Sequence, residues 1–244
     1  MSEKFTLPAN WSLPEEISSR FGASAGKQRL MQHAGHNLLI LHRVPVAEET
    51  TRQAVLFWRS PEGSWKTTAS GNGLSALSEH IESYEEVLAE LDQQQDDAQS
   101  AEQLFEVMSR LNPIQRAVKN MHHCLQQLRT SLPNDKKIIT LRDRAMEVER
   151  TAELLHADCK NALDYLLARR AEDQAKQAAK ISNTTHYLNT MAAIFLPVTA
   201  VASVLGANMT TGLEGHQSPT TFWIIMAAAL LSGLVIQSAI SKKG

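Results

Sequence analysis

The chain has 244 residues, of which 43 % are hydrophobic and 20 % charged, with a formal net charge of -2. A balance this close to neutral, with no basic, aromatic-studded patch, excludes the electrostatic footprint of a nucleic-acid binder. Two cysteines exclude a disulfide-stapled scaffold.

The average conceals an asymmetry. The first 180 residues are rich in Glu, Asp, Gln, Lys and Arg, whereas between Tyr187 and Ile240 the only formal charge is Glu214. The two parts therefore face different solvents. The amino terminus, MSEKFTLPANW, carries no apolar core of the kind a secretory signal needs.

In chain order, a short helix is expected after Ser12, with Pro14, Glu15 and Glu16 in its first turn. His36–Val44 (HNLLILHRV) has the composition of a strand, and Ala54–Trp58 and Ser64–Ala69 flank Pro61-Glu62-Gly63 as a hairpin. Three strands are too few for an independent domain, so they are expected to pack on the helices that follow. From Leu74 the apolar spacing becomes helical through Leu77, Ile81, Val87, Leu88 and Leu91. The polar stretch Gln93–Ser100 either breaks this helix or exposes it. A second helix is expected over Ala101–Leu128, bent or bounded at Pro113, with a turn at Pro133-Asn134-Asp135.

Between that turn and Pro197 there is neither Pro nor Gly. Ile138, Leu141, Ala145, Val148, Ala152, Leu155, Cys159, Ala162, Leu166 and Arg169 follow a helical stripe. The spacing predicts one helix from near Asp135 into the apolar region, on the order of 100 Å long at its rise per residue. Such a helix needs neighbours, which copies of the same chain around an axis would supply.

Tyr187–Leu205 and Phe222–Ile240 are each 19 residues without a formal charge. At roughly 28 Å each matches the hydrocarbon thickness of a bilayer. Arg169, Arg170, Lys176 and Lys180 precede the first span, Lys242 and Lys243 follow the second, and Gly206–Thr221 has no Lys or Arg. The positive-inside rule then puts both termini in the cytoplasm. Cys124 and Cys159 would lie on the reducing side, where no disulfide is expected.

The chain thus divides into a cytoplasmic α+β domain (1–132), a stalk helix (133–186), a first span (187–205), an outer loop (206–221), a second span (222–240) and a cytoplasmic tail (241–244). Ser182, Asn183, Thr184, Thr185, His186, Asn189 and Thr190 cluster as polar, mostly uncharged residues at the inner mouth. Ser182, Thr185, Leu188, Leu196, Thr199 and Asn208 lie near one helix face, allowing for a bend at Pro197. One such face from each subunit would line a pore of polar rings and apolar constrictions. The alternative is that these hydroxyls bond between packed helices or to their own backbone.

Ala193-Ile194-Phe195-Leu196-Pro197-Val198-Thr199 followed by Gly206-Ala207-Asn208 resembles the AIFLPLT stretch and Gly-Met-Asn signature of the CorA superfamily of divalent-cation channels and transporters. Leu141-Arg142-Asp143-Arg144 is similar to part of that family's stalk helix, and Lys242-Lys243 to its basic C-terminus. The likeness is strong over 138–244 and weak before it, where the domain is shorter than the family's usual one. It implies a predominantly helical, CorA-like fold with an α+β cytoplasmic domain. It also implies a homopentamer in the inner (plasma) membrane, a pore lined by the first span, and a divalent cation as substrate rather than a bound cofactor. A ring of Asn208 side chains backed by Gly206 would receive the cation. Neutral oxygens suit magnesium because they bind the hydrated ion without stripping it, and Gly206 permits a tight turn.

Departures narrow the resemblance. Ala207 stands where the family usually has methionine, which resembles a ZntB-like branch in which the ion can be zinc. The loop Met209–Thr221 retains one acid, Glu214, either a cation attractor or a solvated side chain. His216 lacks a second ligand nearby. His122-His123-Cys124 and the i, i+3 pair His156 and Cys159 are metal-capable, or equally ordinary face residues. The acids from Glu79 to Glu90, with Asp92, Asp96 and Asp97, are either regulatory ion ligands or a solvated face.

No phosphate-binding loop, nucleophile elbow or metalloprotease motif is present, so no enzymatic activity is expected. Two functions remain: a divalent-cation channel or transporter of the magnesium or zinc class, or a membrane-anchored structural or regulatory oligomer that conducts little or nothing.

Overall fold

The computed structural model describes residues 7, 8, 10–22, 24, 26–46, 52–206 and 218–241. The chain divides into two compact units at Ala168 and Arg169.

In the first unit, helix α1 (Glu15–Ser18) precedes strands β1 (Arg29–His33), β2 (His36–His42), β3 (Ala54–Arg59) and β4 (Trp65–Thr67). They form an antiparallel meander in the order β1-β2-β3-β4. The expected hairpin is present, and β1 adds a fourth strand to the three expected. Ala34 (φ 46°) and Gly35 (φ 79°) connect β1 to β2 with His33 opposite His36. Two successive positive φ values match the twist of a two-residue hairpin. In the β3–β4 turn, Gly63 takes φ 88° and donates to the Ser60 carbonyl.

The sheet is covered on both faces. Leu39, Leu41, Val55 and Phe57 enter the core shared with the long helices. Leu38, Ile40, Leu56 and Trp58 pack on the other side with Ile17 and Met31, flanked by Leu7, Trp11, Leu13 and Phe21. This is why β2 reads as the unbroken apolar run LLIL instead of alternating with polar residues.

Helix α2 (Gly73–Asp97) starts where Asn72 accepts from the Leu74 amide. Glycine is needed at its first position, because a Cβ on Gly73 would sit 2.9–3.0 Å from Trp65 and Lys66 atoms of β4. The helix runs through the glutamine stretch and ends at Asp97. Helix α3 (Ala101–Ser131) begins with a reciprocal capping box of Ser100 and Gln103 and continues through Pro113. After the turn, Asp135 accepts from the Lys137 and Ile138 amides at the start of helix α4 (Lys136–Gly206).

Leu77, Ile81, Leu88 and Leu91 of α2 join Leu111, Val118, Met121, Leu125 and Leu128 of α3. With them pack Ile138, Leu141, Ala145, Val148, Ala152, Leu155 and Cys159 of α4. Burial along the α4 stripe is complete up to Cys159 and partial at Ala162 and Leu166. Polar ties add direction to this packing. Tyr84 donates its hydroxyl to the His42 carbonyl at 2.8 Å, and Gln28 donates Nε2 to the Ala117 carbonyl at 2.8 Å. Arg144 forks onto both carboxylate oxygens of Glu85 (3.1 and 2.7 Å) and donates to Ser78 Oγ (2.6 Å).

The second unit holds the remainder of α4 and helix α5 (Pro219–Ser241). Both helices are long and apolar enough to cross a membrane, and only 6 % and 11 % of their most apolar stretches are buried within the chain. A core helix of a soluble domain would hide that surface.

Candidate functional site

Within the second unit, α4 presents two different sides. At about 100° per residue, Thr190, Ala193, Ile194, Pro197, Val198 and Val201 fall within one arc of roughly 140°. These are the residues of this stretch that are buried or half-buried. Backbone atoms of Ala193 and Ile194 lie against Gly233 of α5, so this arc is the side turned toward α5. Ala193 is 8 % exposed and Ala229 of α5 is 6 % exposed. Small residues here let the two backbones approach closely.

The opposite arc contains Ser182, Thr185, Leu188, Leu196, Thr199 and Ser203, all exposed. Leu188 is 59 % and Leu196 66 % exposed, an expensive state in water unless a bilayer or another chain covers them. Ser182, Thr185, Leu188, Leu196 and Thr199, five of the six residues named from spacing, therefore share one uncovered face with Ser203, hydroxyls at either end and the two leucines between them; the sixth, Asn208, lies outside the described residues. Thr199 Oγ1 donates to the Phe195 carbonyl at 2.8 Å and Thr184 Oγ1 to the Lys180 carbonyl at 3.0 Å. Those hydroxyl protons are used within the helix, which leaves each oxygen's lone pairs as acceptors toward the open side.

Gly206 is the last described residue of α4, and a Cβ added there would meet nothing within 4 Å among the described residues. Ala207, Asn208, Glu214 and His216 lie outside the described residues.

The candidates in the first unit have structural partners. His122 Nδ1 lies 2.5 Å from Glu149 Oε2, joining α3 to α4, and His123 Nε2 is 3.1 Å from Gln127 Nε2. Cys124 and Cys159 are buried free thiols. Burial pushes the Cys124 thiol up to about 12 and raises that of Cys159 as well, so neither is a ready thiolate ligand. Among the described residues no group of three or more His, Cys, Asp or Glu side chains is placed to hold a metal ion. The pair His156 and Cys159 therefore gains no third ligand there.

In the acidic run, Glu85 is taken by Arg144, and Glu90 meets Arg110 at 3.1 Å. A cleft of about 470 Å³ opens between the starts of α2 and α4, where Asn72, Ser75, Ser78, Lys136, Lys137 and Thr140 line it. Spacing did not single out this cleft, the Arg144 fork or the Gly233 contact. Arg144 looks like an ordinary helix-surface charge, and an isolated glycine in a span carries no periodic signal.

The family model described as CorA-like Mg2+ transporter protein matches residues 71–238. No curated protein matches the sequence. Among solved structures, full-length CmaX is similar with a TM-score of 0.57 at 14 % identity, over 89 % of this chain and 77 % of that one. The cytoplasmic domain of ZntB from Vibrio parahaemolyticus has a TM-score of 0.51 at 12 % identity, over 66 % of this chain and 80 % of that one. The CorA magnesium transporter from Methanocaldococcus jannaschii has a TM-score of 0.42 at 14 % identity, over 91 % and 80 %. At these identities the first two show a shared fold. Family assignment rests on the sequence model, which covers α2, α3, α4 and nearly all of α5: the chain belongs to the CorA-like Mg2+ transporter family.

Proposed function

We propose that the protein conducts a divalent cation of the magnesium or zinc class through a pore lined by the α4 span, in a homopentamer. The assembly would sit in the inner membrane with both termini in the cytoplasm. The observation that carries this reading is the uncovered α4 face of Ser182, Thr185, Leu188, Leu196, Thr199 and Ser203, opposite the side packed on α5. Repeated around an axis, that face would set leucine rings between hydroxyl rings, giving a hydrated ion polar stations on either side of apolar constrictions that gate by dewetting.

Membership in a Mg2+ transporter family supports the cation class. Gly206, Ala207 and Asn208 follow the span as the outer station, where five amide oxygens would accept from the ion's water shell. Glu214 would raise the local cation concentration at the entrance. The cation is substrate, and no further cofactor is required.

Flux tests the reading. Full-length protein in liposomes loaded with magnesium-, zinc- or cobalt-sensitive dye is expected to admit at least one ion above empty vesicles. Asn208→Ala is expected to lower that flux. No flux above empty vesicles for any of the three ions would refute conduction and favour the non-conducting oligomer. A monomer or dimer mass in detergent would refute the pentamer.

A further inference from the structure

Within the second unit, Ala229 and Gly233 are four residues apart on α5, and Gly233 meets α4 at Ala193 and Ile194. A Cβ on Gly233 would stand 3.0 Å from the Ala193 carbonyl oxygen, 3.0 Å from that of Ile194 and 3.1 Å from the Ile194 Cα. All three are backbone atoms, so none can swing aside as a side chain would.

The location of this contact is informative. Ala193 stands four residues before Pro197, which lies inside α4. Proline has no N–H, so the Ala193 carbonyl lacks its ladder partner, and the ring crowds it outward. In a hydrocarbon core no water replaces the lost donor, and a proline is tolerated where a neighbouring helix closes on the freed group. Gly233 of α5 comes up to it, and a Cβ there would require the facing backbone to give by a few tenths of an ångström. On the other side of the same turn, Thr199 Oγ1 bonds back to the Phe195 carbonyl at 2.8 Å, which also favours bending. Two local features thus favour a bend at Pro197, and Gly233 stands behind it.

We infer that Gly233 is a positioning residue for cation passage: by backbone approach to the Ala193 carbonyl it braces the Pro197 bend. The brace sets where Leu196 and Thr199 stand along the pathway. This rests on the reading that α4 lines that pathway. Helix α5 is then a structural part of the pore wall and not solely a lipid-facing anchor.

The test compares full-length wild type, Gly233→Ala, Pro197→Ala and the double variant. Each is measured for Mg2+, Zn2+ and Co2+ flux in dye-loaded liposomes, and for native mass and melting temperature in detergent. Gly233→Ala is expected to lower flux about tenfold (~1.4 kcal/mol in barrier) with the assembly mass unchanged. In the Pro197→Ala background the restored N–H draws the Ala193 carbonyl back into the helix. There the same change is expected to cost less than about twofold, or ~0.4 kcal/mol.

Wild-type flux in Gly233→Ala, or an equal loss in both backgrounds, overturns the brace. If Gly233→Ala fails to assemble, assembly of the double variant supports the brace and its failure overturns it. If wild-type vesicles carry no flux, the conduction reading fails and the melting data decide the brace alone. A smaller melting shift from Gly233→Ala in the Pro197→Ala background then supports it, and equal shifts overturn it.

Discussion

Acid should weaken the first unit through His80. Its ring is buried at 8 % exposure, edge-on to Phe57 and Tyr84, with Nε2 buried and without a hydrogen-bond partner. Burial, reinforced by the nearby Arg43, lowers its pKa from 6.5 to about 4. Above pH 6.5 the ring is neutral in both folded and unfolded chains and contributes no pH dependence. Below 6.5 the unfolded chain binds a proton that the folded chain refuses, so stability falls as pH drops toward 4. Linkage between those two values gives losses of about 1 kcal/mol at pH 5.5 and about 3 kcal/mol at pH 4.5. His42 is shifted in the same direction by its own burial, and adds to the loss over the same side of 6.5.

The perturbation is His80→Gln in the full chain, and the assay is urea denaturation in detergent followed by near-ultraviolet circular dichroism from about pH 7.5 to 4.5. Carboxylates titrate alike in both proteins, so the difference between them isolates His80. The wild type should lose about 1 kcal/mol more than His80→Gln between pH 7.5 and 5.5. Parallel pH profiles would refute the assignment of a buried neutral imidazole.

Three further outcomes follow from the packing. Arg144→Met breaks the fork to Glu85 and Ser78; because both charged side chains are about one-third exposed, the expected loss is only about 1 kcal/mol. A cycle with Glu85→Gln should return most of it as coupling, and additive losses would contradict the pair. Ser100→Ala removes the capping box of α3 and should cost about 1 kcal/mol, with faster amide exchange confined to the first turn. Leu166→Asp, on the half-buried continuation of the α4 stripe, should reduce the native mass in detergent while leaving the melting of the first unit unchanged. An unchanged mass would argue against copies packing along that stripe.

Much of this architecture is written in local chemistry. Asn72, the Ser100 and Gln103 box and Asp135 start helices because a cap needs only the residues within its own turn. The a/d rhythm from Ile138 to Cys159 and the uncharged spans are legible for the same reason: periodicity and choice of solvent are properties of consecutive residues. So is the stripe from Ser182 to Ser203, whose members share a face in any continuous helix.

Other features required distant chain to come together. β1 reads as RLMQH, too short and polar to announce a strand, and exists because His36–Ile40 pairs with it while α3 packs on it. The passage of α3 through Pro113 and the burial of both sheet faces depend likewise on neighbours far away in sequence. The same holds for Arg144, which is separated from Glu85 by 59 positions. Pro197 shows the division most clearly. The sequence alone determines that α4 loses a hydrogen bond at Ala193, because proline lacks the donor wherever it stands. Only the tertiary structure decides that Gly233, across the helix pair, comes up to the freed carbonyl.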